Sequence, residues 1–246
     1  MTEKMNTSIG WAIEVQNLTK SFGYRRALRG LNLKVGKGEH LTIFGPNGAG
    51  KTTLLKVLST LTKPSSGSVL VDGISLQDKP VEIRRRISLV SHHTFLYHEL
   101  TVYENLKFYG RMYHVPDLDH RVHEVVSLVG LEARLHDRVG TLSRGLQQRA
   151  SLARAVLHNP SIVLLDEPET GLDPHAIRTM KSMLVGNGNH EERTVIVTSH
   201  NLDWGLEVSD SVAILNTGEI VYQAGRPEID TQGFPEIYDH YTGTRK

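Results

Sequence analysis

An α/β fold assembled around a phosphate-binding loop is predicted by three features of this chain. The first is Gly45-Pro46-Asn47-Gly48-Ala49-Gly50-Lys51-Thr52-Thr53, a Gly, four residues and then Gly-Lys-Thr, set between a strand pattern at 39–44 and a helix pattern at 52–58. The second is a pair of wholly apolar runs, 162–165 and 195–197, which suit strands buried on both faces of a parallel sheet. The third is a change of texture: alternating, turn-rich sequence before about residue 91, helical periodicity from about 92 to 158, then strands again.

The elements follow in order. Residues 13–18 alternate and read as a strand, 20–26 as a turn carrying Phe22 and Tyr24, and 31–35 as a second alternating strand. Gly36-Lys37-Gly38-Glu39 reads as a hairpin turn into the strand before the loop. Residues 63–67 form a loop, and 68–73 a strand ending in an Asp-Gly turn. A short buried strand at 87–90 leads to a His-rich loop. Thr101 with Glu104 three residues on forms a capping box for a helix whose apolar face is Val102, Leu106, Phe108 and Tyr109. Residues 117–129 give a second amphipathic helix, and 142–157 contain a third starting at Ser143. Asp173 as N-cap and Pro174 at N1 open a helix over 174–184, ended by Gly186-Asn187-Gly188-Asn189. Residues 212–215 and 219–222 flank Asn216-Thr217-Gly218 as a late hairpin. The expected organisation is one domain: a core of 11–91 and 159–225, an inserted helical subdomain of 92–158, and a polar tail of 226–246.

Composition sets the bounds. At 246 residues, 39% hydrophobic and 22% charged, the chain has enough material for one large core. A net charge of +1 gives no overall basic field for nucleic acid. The absence of cysteine removes disulfides and thiol nucleophiles. No apolar run approaches the ~18 residues of a membrane span, and the first eight residues lack an apolar signal core. The expectation is a protein that stays on the side where it is made and meets a membrane only through a partner. Thirteen histidines invite a metal or haem reading, but His92-His93 and His120-Arg121-Val122-His123 bring no third ligand into the pattern.

The loop's residue types dictate its chemistry. Gly45, Gly48 and Gly50 permit positive φ and let backbone approach a ligand. With Asn47 and Ala49 they form a nest of N–H groups for an anion, Pro46 lying in the loop without an N–H of its own, and the N-terminus of the helix that begins near Thr52 and Thr53 adds to it. Lys51 supplies charge for β- and γ-phosphates, and Thr52 a hydroxyl for Mg²⁺. Asp166 ends an apolar strand where a carboxylate can hold that Mg²⁺, and Glu167 follows at once, able to polarise a water. Alone, the pair is two acidic residues opening a loop; the phosphate loop gives it a purpose.

At this point the chain resembles a known family. Leu142-Ser143-Arg144-Gly145-Leu146-Gln147-Gln148-Arg149 is similar to the Leu-Ser-Gly-Gly-Gln signature of ABC ATPases and lies just before Asp166-Glu167-Pro168. Gly171-Leu172-Asp173 resembles the family's D-loop, Thr198-Ser199-His200 its switch histidine, and Phe22 the aromatic that stacks on adenine. The resemblance runs from about residue 13 to 222. It implies a RecA-like P-loop NTPase core with an antiparallel β subdomain and an inserted α-helical subdomain. It also implies ATP and Mg²⁺ as cofactors, and a homodimer in which Ser143 and Gly145 of one copy complete the ATP site of the other. His200 would contact the γ-phosphate and help orient Glu167. Integral membrane transporter subunits would be the partners, on the cytoplasmic side of the membrane.

Two departures from the family pattern stand out. Arg144 and Leu146 replace the common Gly and Gln; Arg144 is either a solvated side chain or an added anion contact. His92 occupies the place of the Q-loop glutamine, which touches Mg²⁺ and relays the nucleotide state to the membrane subunit. An imidazolium would repel a metal, so coupling suits His92 better than metal contact. These departures resemble the CcmA-type haem exporter ATP-binding subunits of cytochrome c maturation, which implies CcmB/CcmC-like partners, with haem passing through them and no direct haem ligation here. Other exporter ATPases, a soluble ABC ATPase acting on nucleic acid, and an inactive scaffold are the alternatives.

Overall fold

Alternating apolar residues make the opening strands one-faced, so they pair into a sheet that hides that face. The computed structural model describes residues 10–168 and 193–243. In it Trp11–Phe22 (β1) and Arg25–Gly36 (β2) form an antiparallel hairpin. The chain crosses to a second sheet at His40–Phe44 (β3), then returns to the first for Ser66–Val71 (β4) and Ile74–Ser75 (β5), giving the order β2-β1-β4-β5. The Asp-Gly turn joins β4 to β5, with positive φ at both Asp72 and Gly73 as a type I′ turn requires.

Two expectations are corrected here. The turn at 20–26 shrinks to Gly23-Tyr24, because β1 runs on through Phe22 and pairs it with Arg25. Residues 36–39 are no hairpin turn: β2 and β3 lie in different sheets. The apolar β3 is buried between parallel neighbours instead, and side chains hold the crossing in place. Glu39 accepts from the Gly36 N–H at 2.5 Å, and the Thr194 hydroxyl accepts from the Gly38 N–H at 2.9 Å.

The second sheet adds Ile87–Val90 (β6), Ile162–Asp166 (β7), Thr194–Ser199 (β8), Ser211–Asn216 (β9) and Glu219–Gly225 (β10), in the order β10-β9-β3-β8-β7-β6. All pairs are parallel except the edge pair β10–β9. Every residue of β7 and β8 is buried, as their unbroken apolar runs predict. Register aligns the carboxyl ends, Phe44 with Ser199 and Asp166 with Thr198. The residues that follow β3, β7 and β8 therefore emerge along one edge, where open α/β sheets bind ligands.

Helices cover this sheet. Lys51–Leu58 (α1) buries Leu54, Leu55, Val57 and Leu58 completely, worth about 1.5–3 kcal/mol for each side chain. Pro80–Arg86 (α2) was not legible as a helix; its seven residues bury only Ile83. Val102–Met112 (α3) opens with the expected capping box, Thr101 and Glu104 bonding reciprocally. Leu118–Leu128 (α4) follows Asp117, which sits at φ 42 and makes no side-chain cap. Arg144–Val156 (α5) has Ser143 as its N-cap. The three pack together over Val90, Val163, Leu165, Val195 and Val197. Leu202–Val208 (α6) and Phe234–Thr242 (α7) complete the described helices. The tail does pack: Phe234 is fully buried, its ring 5.2 Å from that of Phe44. The expected helix over 174–184, its cap Asp173 and its end at 186–189 lie outside the described residues.

Candidate nucleotide site

The loop between β3 and α1 is shaped by glycines that nothing else could replace. A Cβ on Gly45 would lie 2.1 Å from the Leu215 carbonyl oxygen, and one on Gly50 2.6 Å from that of Ala27. Gly50 has φ 115 and is the N-cap of α1 without any side-chain cap, so the helix's first N–H groups stay available to an anion. Lys51 is 5% exposed. Its Nζ donates to the Gly45 carbonyl at 2.7 Å and lies 3.5 Å from Glu167 Oε1. Phe22, Arg25, Ala27, residues 46–53 and Glu167 together line a cavity of about 510 Å³, within the size range of small-molecule sites.

The carboxylates arrive as the strand ends predict. Asp166, 4% exposed at the end of β7, accepts from the Thr52 hydroxyl at 3.1 Å and the Thr198 hydroxyl at 2.9 Å. A buried carboxylate beside a threonine hydroxyl is a hard-oxygen donor pair of the kind Mg²⁺ takes. Glu167 sits at φ 48, its N–H donating to the Thr198 carbonyl and close to that residue's hydroxyl, each at 3.1 Å. Its Oε2 lies 3.8 Å from both His92 Nε2 and His200 Nδ1. The base candidate is thus ringed by Lys51 and two imidazoles. Nothing in the sequence identified Thr198 as the residue that bonds both the Asp166 carboxylate and the Glu167 backbone N–H; a hydroxyl-bearing residue at the end of the neighbouring parallel strand was the only signal.

The predicted residues fall into two groups. Phe22, the 45–53 loop, His92, Asp166, Glu167 and His200 gather at one edge of the sheet. Ser143 and Gly145 stand apart on α5 and line no part of the cavity. Ser143 is exposed, its hydroxyl accepting from the Leu146 N–H at 3.4 Å, and half-buried Gly145 has no atom within 4 Å of the point where a Cβ would stand. Asp173 lies outside the described residues. The two groups are nonetheless tied: Ser151 of α5 donates to the Thr94 carbonyl at 3.2 Å, and buried Arg154 to the Leu89 carbonyl at 2.8 Å. These bonds bracket His92 on either side. Burial pulls the Arg154 guanidinium below its usual range, and the rings of Phe95 and Tyr109 face it at 5.5 and 5.4 Å.

Comparison with known proteins decides the family. The ABC transporter sequence pattern matches residues 28–170, from the loop through the α5 signature to Asp166-Glu167. The chain belongs to the ABC transporter family. It is 35% identical to the ABC transporter ATP-binding protein NatA of Bacillus subtilis (strain 168), over 80% of this chain and 81% of that protein. It is 32% identical to the linearmycin resistance ATP-binding protein LnrL of the same organism, over 85% and 68%. A solved dimeric ATP-binding cassette, in a post-hydrolysis state bound to ADP and Pi, superposes with a TM-score of 0.78 at 28% identity, covering 87% of this chain and 98% of that one. This ABC ATPase is the ATP-binding subunit of a transporter, and its reaction is ATP hydrolysis. No helix among its described residues is long and apolar enough to cross a membrane.

Proposed function

We propose that two copies of this chain close face to face on ATP and reopen on hydrolysis, driving integral membrane subunits from the cytoplasmic side. The observation that carries this is the separation of the two anion-binding helix ends. α1 offers its N-terminus to the cavity, while α5 offers Ser143 and Gly145 to open space. A second copy brings its α5 end to the first copy's phosphates. Phe22 stacks on the adenine, and Asp173 belongs to the loop that meets the other copy. Thr52 and Asp166 hold Mg²⁺, which when bound neutralises phosphate charge. Glu167 takes the proton of the attacking water, His200 steadies it, and Lys51 binds the phosphates. His92 acts in coupling rather than as a metal ligand. The 92–158 segment is the inserted helical subdomain, and the chain as a whole one ABC ATPase domain.

The transported species is read more narrowly as haem, exported for cytochrome c-type biogenesis through CcmB/CcmC-like subunits, with nucleic acid taking no part. His92 and the Leu-Ser-Arg-Gly-Leu signature support this reading. The alternative is a drug exporter, supported by the likeness to a linearmycin resistance protein. The test is to purify the chain with its membrane partner and assay haem and drug efflux in inverted vesicles. ATP-dependent haem movement lost in Lys51→Ala supports the first reading. Drug movement alone replaces it with the second, and co-purifying nucleic acid without a membrane partner overturns both.

A further inference from the structure

We propose that Arg25 is a phosphate-binding residue of the ATP site, the second cation of the cavity after Lys51. The register of the first hairpin places it there. Phe22 and Arg25 are the directly opposed pair that closes β1 and β2 around Gly23-Tyr24. Opposed residues of a ladder project from the same face of the sheet. Phe22 and Arg25 both line the cavity, and so does Ala27, two residues on along the same strand. Arg26 pairs with Ser21 and belongs to the other face; neither lines the cavity.

The guanidinium reaches the crown of the phosphate loop. Arg25 Nη2 lies 3.5 Å from the point where a Cβ on Gly48 would stand. At φ 82 Gly48 has no side chain to block that approach. The Arg25 side chain makes no hydrogen bond or ion pair with any described residue. Exposed arginines are commonly solvated, but here the ladder aims the side chain at an anion nest and leaves its donors free. Lys51 is buried beneath the loop, and Arg25 stands at its outer rim. One hairpin end therefore supplies an aromatic face for the base and, on the adjacent strand, a planar fork of N–H donors for the phosphates.

The test is nucleotide affinity of the full chain, read by displacement of a fluorescent ADP analogue, with the KM and kcat for ATP measured alongside. Arg25→Ala is expected to weaken ADP roughly tenfold, the loss of one charge-assisted contact. The KM for ATP rises by the same factor while kcat changes much less. Arg25→Lys retains most of the affinity, and Arg26→Ala, one residue away on the opposite face, matches wild type. Lys51→Ala in parallel shows independently whether the loop itself holds the phosphates. ADP affinity within about twofold of wild type in Arg25→Ala overturns the proposal. So do equal losses in Arg25→Ala and Arg26→Ala, which would mean general surface charge rather than a contact.

Discussion

Two helix N-termini in this molecule are built from similar parts and finished differently. α1 begins at Gly50, with no side-chain cap, a buried lysine as its first residue and two carboxylates at hand. α5 begins at Ser143, which caps its own helix in the open, with Arg144 exposed beside it. The first is pre-organised: Lys51, Asp166 and Glu167 are held by hydrogen bonds and by one another before any ligand arrives. The second is exposed at Ser143 and lines no part of the cavity. In the proposed dimer this exposed end is the one that meets the phosphates of the other copy. The other end of α5 is the reverse, buried and fixed, with Arg121 donating to the Val156 and Leu157 carbonyls.

The comparison can be broken at either end. Glu167→Gln is expected to lower turnover about a thousandfold while ATP still binds. Gel filtration with ATP and Mg²⁺ should then show a stable dimer, and a monomer there would sever the link between the two helix ends. Lys51→Ala should weaken ATP about a hundredfold or more by equilibrium binding, since it removes the buried charge from the pre-organised end. Unchanged affinity would mean the phosphates lie elsewhere.

The fixed end of α5 makes a pH prediction. Burial, reinforced by Arg154, Arg121 and Arg193, pushes His158 down to about 4. The unfolded chain binds that proton near 6.5. The associated stability is therefore present above about pH 6.5 and is lost as pH falls towards 4, on the order of 3 kcal/mol in all. Denaturant titrations between those values should show the slope in wild type. His158→Phe, which keeps the stack on Tyr113, should flatten it. An unchanged slope in the variant would assign the effect to other groups.

Smaller effects separate the ends most finely. Ser143→Ala should leave ADP binding to the single copy intact and cut ATP turnover about tenfold, with about 1 kcal/mol of stability lost from the cap. If ADP affinity falls instead, Ser143 acts on its own copy's cavity. His92→Gln should change basal hydrolysis by no more than about twofold and affect partner-stimulated hydrolysis more. A collapse of the basal rate would make His92 part of the chemistry rather than of the connection between α5 and the β6 loop.

Much of this was legible residue by residue. The 45–53 loop, the apolar β7 and β8, the capping box at Thr101 and the N-cap Ser143 are local signals, set by backbone preference, burial pattern and short-range hydrogen bonds. What stayed hidden was short or paired at a distance. α2 and α6 span seven residues each, too few for a helical period to stand out. α7 lay in a tail that looked merely polar, because Phe234 has meaning only once Phe44 is opposite it.

By itself, then, the sequence determined that a phosphate cradle exists, which strands flank it, and that Asp166 and Glu167 stand at a strand end. Those facts follow from spacing along the chain. The tertiary structure alone decided that residues 36–39 carry the chain between sheets rather than around a hairpin. It also decided that Thr198 braces the Asp166 carboxylate and the Glu167 backbone, that His92 and His200 meet at one oxygen of Glu167, and that Arg25 rather than Arg26 faces the loop. Each of these depends on strand order and register, in which a single-residue shift turns a side chain to the opposite face of the sheet.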